Sequence, residues 1–278
     1  YLKTNEKQAY NISLEIKAWK ENRMIKYGKF QKDKDICYLD IETDLGQTYI
    51  WLIGLHFEKT NETIQYFAKN PKQEKQMLEK FSKKNSIDRN KFIILLPGRL
   101  SFWKGQKIFI EALKLLSEQN NNQPFEGIII GGDQGRSVYK KQLIALVERY
   151  RLKKIIKFID HCDEMPVAYK IANLVCSCSS EPEAFGRVSV EAQSMGIPIV
   201  ASDIGGSAET IVKDKTGFLF KSGDSNALTN AIIVVMQKDY NSLKSIGFEG
   251  RKNILKKFDV DKMCHTTFTE YKKLIELS

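Results

Sequence analysis

The sequence predicts an α/β fold. Residues 87–278 are expected to form a mostly parallel sheet wound on both sides by helices, with a small α+β segment before it in residues 1–86. Two observations carry the prediction. Short apolar runs end in glycine or proline, as in "KFIILLPG" and "FEGIIIGG". Each is then followed by a segment with helical spacing of its apolar residues. Strands that alternate with helices pair in parallel, because each helix carries the chain back across the sheet.

The elements follow in order. "KFIILLPG" is a buried strand and its turn, and "KGQKIFIEALKLLSEQ" is a helix with Ile108, Ala112, Leu115 and Leu116 on one side. "FEGIIIGG" is the second strand, and "SVYKKQLIALVERYRL" a helix with Ser137 as its N-cap. "KIIKFI" and "NLVCSCS" are strands flanking a short helix in "DEMPVAYKIA". "IPIVASD" and "TGFLFK" are strands flanking a helical turn in "SAETIV". "DSNALTNAIIVVMQKD" is a helix capped by Asp224 or Ser225, and two helices broken near Phe258 complete the chain. This is a doubly wound, Rossmann-like arrangement, in which ligands bind beyond the carboxyl ends of the strands.

Composition narrows the function classes. The chain has 278 residues, 42% of them hydrophobic and 28% charged, the balance of a soluble globular protein. It has no apolar run of about 18 residues, the length a spanning helix needs. The net charge of +10 comes mostly from lysines spread along the chain, so no basic domain stands out and nucleic acid is not an expected partner. Five cysteines without a CxxC pair argue for a reducing compartment, and three histidines without ligand spacing argue against zinc.

The chemistry gathers on the expected rim. "PGRLSFWKG" puts Arg99 and Lys104 in a strand-to-helix loop, where two cations suit a diphosphate, with Gly98 and Gly105 allowing close approach. "GGDQGR", with Gly132, has the look of a phosphate loop but not the dinucleotide spacing. "EPEAFGRVSVEA" turns through Glu183 into a helix that begins near Gly186. Backbone N–H groups at a helix start attract an anion, and Gly186 is expected to leave room for a phosphate. Glu191 can accept from the paired hydroxyls of a ribose, and Glu183 from those of a second sugar. A nucleoside diphosphate joined to a sugar fits all of these features.

These motifs, with "HCDEMPVAYKIANLVCSCSSEPEAFGRVSVEAQSMGIPIVASDIGGSAETI" and "TGFLFKSGD", resemble the C-terminal, donor-binding domain of group 1 (family 4) retaining glycosyltransferases, half of a GT-B fold. The resemblance implies sugar transfer from a nucleotide-diphosphate sugar to a glycan or lipid-linked acceptor, of the cell-envelope polysaccharide or lipopolysaccharide type. It implies no metal cofactor. Arg99 and Lys104 would stabilise the leaving diphosphate, and Glu183 would orient the donor sugar. Gly98, Gly132, His161, Phe185, Gly186, Arg187, Val188, Glu191, Gly205 and Gly206 would line the donor pocket. The expected location is cytoplasmic, with peripheral contact at the inner face of a membrane. A nucleotide-sugar-binding remnant without turnover is the alternative.

Residues 36–84 resemble a different family. "YLDIETD", the hairpin after it and the helix opened by Pro71 are similar to the start of a ribonuclease H-like, DEDD-type 3′–5′ exonuclease. In that family Asp40 and Glu42 would ligate Mg²⁺. The later acidic motifs are absent, so a truncated fragment is expected, joined to the donor domain near residue 86, with 3′–5′ exonuclease activity through the Asp40-Ile41-Glu42 motif as a second alternative function.

Overall fold

The computed structural model describes residues 37–43, 50–57, 62–67, 71–119, 123–135, 137–258 and 260–276. The chain divides into two compact units, Tyr1–Glu42 with Leu52–Gln65, and Thr43–Trp51 with Tyr66–Ser278. Strands β1 (Cys37–Thr43), β2 (Ile50–Phe57) and β3 (Glu62–Phe67) form a three-stranded sheet in that order. Asp40 and Glu42 both fall on β1, but their side chains lie outside the described residues, and so does the proposed Mg²⁺ set.

The second sheet has six strands: β4 (Phe92–Pro97), β5 (Phe125–Ile130), β6 (Ile156–Ile159), β7 (Leu174–Ser177), β8 (Ile199–Ser202) and β9 (Phe218–Phe220). Their order is β6-β5-β4-β7-β8-β9, and every pair is parallel. Strands β4, β7 and β8 are buried at every residue, as runs covered on both faces must be. The chain leaves β4 to one side and returns on the other at β7, so the connections diverge between these two strands. That divergence opens a crevice at their carboxyl ends.

The helices are α1 (Pro71–Lys84), α2 (Gln106–Glu118), α3 (Ser137–Arg149), α4 (Met165–Ile171), α5 (Arg187–Ser194), α6 (Gly205–Thr210), α7 (Ser225–Met236), α8 (Tyr240–Lys257) and α9 (Val260–Glu276). Helix α2 packs on α7, α5 on α8, and α1 on α4. Among the described residues no helix is long and apolar enough to cross a membrane.

Three local expectations change. The buried side of α2 is Phe109, Ile110, Ala112, Leu113 and Leu116, while Ile108 and Leu115 are only partly covered. A helix apolar at so many positions does not fix its own rotation. Ser137 is the first residue of α3 rather than the residue before it. Helix α1 packs within the second unit: Phe81 is buried, Glu74 lies 3.7 Å from Lys170, and Lys84 lies 3.5 Å from Glu164. Asp224 caps α7 by accepting from the Ala227 N–H at 3.0 Å, as its type and position require.

Candidate functional site

The loops after β4, β5, β7 and β8 are tied to one another by backbone hydrogen bonds. The Leu100 N–H donates to Gly132 O at 3.0 Å, the Ser180 N–H to Trp103 O at 2.7 Å, and the Gly206 N–H to Glu183 O at 2.8 Å. The loop after β4 is further held from below. The buried Gln106 amide donates to Arg99 O at 2.9 Å. This stitching places Arg99, Lys104, Glu183 and Gly205–Gly206 on one rim, around the divergence of β4 and β7.

Lys104 and Glu183 meet across that divergence. Lys104 Nζ forms an ion pair with Glu183 Oε1 at 2.8 Å, with the two side chains only 15% and 11% exposed. The Ser179 hydroxyl donates to the same oxygen. Among the described residues no hydrogen bond falls on Glu183 Oε2. Trp103 lies near both cations of its loop, 4.4 Å from Lys104 Nζ and 5.5 Å from the Arg99 guanidinium carbon, measured to the ring centroid. Its ring stabilises both cations by their approach to its face.

Glu191 has two partners of opposite character. The Tyr169 hydroxyl, from α4, donates to Oε2 at 2.6 Å. Arg187, one turn earlier on α5, donates to Oε1 through Nε at 3.2 Å and through a terminal nitrogen at 2.8 Å. Tyr169 is 2% exposed, and its hydroxyl is held well above the usual phenol range, first by burial and then by the charge of Glu191. It is therefore a fixed donor. The Arg187 side chain is 77% exposed. A solvated pair at this spacing contributes only about 0.3–0.5 kcal/mol.

The glycines play roles different from those their motifs suggest. Gly186 caps α5 at φ +73° with no side-chain cap bond. A Cβ there would lie 2.6 Å from the Ser207 backbone nitrogen. The space beside Gly186 is thus filled by α6 and not left for a phosphate. Gly105, also at φ +73°, abuts the Cys178 carbonyl, where a Cβ would lie 1.8 Å from the oxygen. Gly205 and Gly206 meet the backbone of Pro182–Phe185 in the same way. Gly132 has open space where its side chain would be, and Gly98 has only the flexible Lys104 stem near it.

The other expected site residues are placed as follows. Phe185 is half-exposed and sits edge-on to Phe258, with ring centroids 5.8 Å apart. Val188 is buried in the first turn of α5. His161 is exposed in the loop after β6, its Nε2 2.7 Å from Asp163 Oδ1. Tyr169, Ser179 and Trp103 escaped the sequence reading. Only "WKG" carried a signal, because an aromatic beside a cation in a turn is an available cation–π partner.

With this geometry in view, the comparisons place the chain. The family described as glycosyl transferases group 1 matches residues 77–253. The D-inositol 3-phosphate glycosyltransferase of Jonesia denitrificans is 32% identical over 130 residues, covering 46% of this chain and 30% of that protein. The crystal structure of a glycosyltransferase from Rickettsia africae superposes with a TM-score of 0.68 at 28% identity, covering 75% of this chain and 53% of that one. The structure of Anabaena Alr3699/HepE in complex with UDP and glucose gives 0.64 at 30% identity, covering 71% and 52%. This chain therefore spans from about a third to about half of the length of these relatives. The match begins at residue 77 and leaves the ribonuclease H-like reading of residues 36–84 without support. The six-stranded parallel sheet, its flanking helices and the match over most of its length agree, and the chain belongs to the group 1 glycosyl transferases.

Proposed function

We propose that residues 71–276 form the donor-binding half of a retaining glycosyltransferase, which takes a sugar from a nucleoside-diphosphate sugar without a metal ion. The observation that carries this reading is the Lys104–Glu183 contact at the divergence of β4 and β7. It sets a cation for the diphosphate beside a carboxylate for the sugar. Glu191 lies just over a turn inside α5, on the chain that follows Glu183, and would take the ribose. In catalysis, negative charge grows on the departing phosphate. Arg99 and Lys104 would stabilise it as preorganised positive groups. Gly132 leaves open space at the same rim. A UDP-containing relative supports a nucleotide donor in this fold.

The acceptor, a glycan or lipid-linked sugar, the hexosyl type and a cytoplasmic site at the inner face of a membrane belong to the same proposal. The boundary between the two parts is best set ahead of Pro71, since α1 packs on α4.

The test is release of sugar from UDP-, GDP- and ADP-hexoses in chelator, followed by NMR of the anomeric proton. The expected result is slow hydrolysis that gives the donor's own anomer first. Appearance of the opposite anomer would exclude retention. Binding of nucleotide with no release would instead favour a binding module without turnover.

A further inference from the structure

We infer that a cluster of lysines and arginines beside the edge strand β6 is a docking surface for an anionic lipid bilayer. The inference names the surface behind the proposed place at the inner face of a membrane, and it rests on that part of the reading rather than on the donor site.

The cations look spread along the sequence, yet folding gathers two runs of them. Residues 83–91 hold four Lys or Arg against Asp88, and residues 148–157 hold five against Glu148. The first run leads into β4 and the second into β6, with β5 between those strands. Glu126, near the start of β5 and only 1% exposed, joins the two runs: its Oε2 lies 3.9 Å from Lys91 Nζ and its Oε1 2.9 Å from Lys157 Nζ. Lys157 also donates to the Ser86 carbonyl oxygen. Separating the runs would leave the Glu126 charge buried and uncompensated, so they stay together. Glu164 adds a fourth carboxylate, 3.5 Å from Lys84. Nine cations against four carboxylates leave +5, half of the chain's net charge of +10. The solvent-facing part is less compensated still. Lys83, Arg89, Arg149, Arg151 and Lys154 are exposed, and none of them forms an ion pair among the described residues.

The chemistry of the patch favours lipid phosphates over nucleic acid. A single-stranded nucleic acid is held by aromatic rings on which bases stack. The two runs carry one aromatic residue, Tyr150, which is only partly exposed and already lies 5.5 Å from Lys114 Nζ. What remains is a field of point charges, and a negative bilayer rewards these by their number rather than their arrangement. Docking here also leaves the donor rim open, because Lys104 and Glu183 follow the carboxyl ends of β4 and β7.

The experiment sediments the full chain with vesicles of phosphatidylcholine alone, and with vesicles in which about a third of the lipid is phosphatidylglycerol. Wild type is expected on the anionic vesicles only, and release is expected as salt shortens the Debye length below about 8 Å. Each cation at such a surface is worth about fivefold in affinity, so Lys83→Gln/Arg149→Gln/Lys154→Gln should bind about a hundredfold more weakly. The control Lys213→Gln/Lys244→Gln/Lys252→Gln makes the same change in net charge at exposed lysines outside the two runs, and should lose less than about threefold. Thermal melts of both variants confirm that they fold. Equal losses in the two variants overturn the inference, as does a wild type that ignores phosphatidylglycerol. Binding of duplex DNA or single-stranded RNA in place of the anionic vesicles also overturns it. Patch-dependent vesicle binding by a chain that binds no nucleoside diphosphate would sustain this surface while the donor-site reading fails.

Discussion

Replacing Gly105 by alanine tests whether the loop after β4 is held by contact with the strand beside it. Two costs can be worked from the structure. The backbone sits at φ +73°, where an L-residue pays about 1–2 kcal/mol. The new Cβ would lie 1.8 Å from the Cys178 oxygen and 2.9 Å from the Cys178 Cβ. The loop or the end of β7 must move by more than about 1 Å, an overpacking cost of about 1–3 kcal/mol. Gly223 is the control: its φ is +79° and nothing lies within 4 Å of its missing Cβ. Both substitutions carry the same backbone cost and the same gain from a stiffer unfolded chain, so these cancel in the comparison. Gly105→Ala should melt below Gly223→Ala by about 2–12 °C, at about 2–4 °C per kcal/mol for a domain of this size. Scanning calorimetry on the two variants reads the difference. Equal melting temperatures would refute the packing of Gly105 on Cys178, and with it the account of how Lys104 is brought to Glu183.

Further outcomes follow from single contacts. Lys104→Met should weaken nucleoside diphosphate binding by about tenfold or more while leaving the binding of the bare nucleoside unchanged, as calorimetry can show. The same variant leaves Glu183 with Ser179 as its remaining described partner and should lower stability by about 1.5–3 kcal/mol in denaturant titration. Asp239 caps α8 by accepting from the Ser242 N–H at 2.8 Å, and this bond, more than any other cause, holds its carboxyl below the usual range. Because the folded pKa is the lower one, its stabilisation is present above the unfolded value, about 3.9, and is lost as pH falls through the folded value. The melting-temperature gap between wild type and Asp239→Asn should therefore close on acidification, and a gap that stays constant down to pH 2 contradicts the assignment.

Much of the donor domain is legible in the sequence because its signals are local. "FIILLP" and "LVCS" are too short and too apolar for surface helices, and each ends at a turn that feeds a helix. The break near Phe258 and the Asp224 cap are equally local. The rotation of α2 is not, since Ile108 and Phe109 are both apolar and only packing decides which is buried, with Phe109 and Leu113 lying against Gly127 of β5 and the helix against α7. The rim shows the same division. Its residue types, two cations and two carboxylates near glycines, point to a phosphorylated sugar ligand. Their pairing is invisible, because Lys104 meets Glu183 and Tyr169 meets Glu191 only after the strands are ordered. Gly186 shows the hazard most clearly. As a sequence feature it suggests phosphate access, yet the close approach it permits is that of Ser207.

The most direct test of the donor site is calorimetric titration of UDP, GDP and ADP into wild type and Glu191→Ala, with chelator present throughout. Saturable, metal-independent binding of one nucleotide by wild type, lost in Glu191→Ala while pyrophosphate still binds, is the predicted result. Binding of no nucleotide by wild type, or equal affinity in the variant, would contradict the claim that this rim holds the donor.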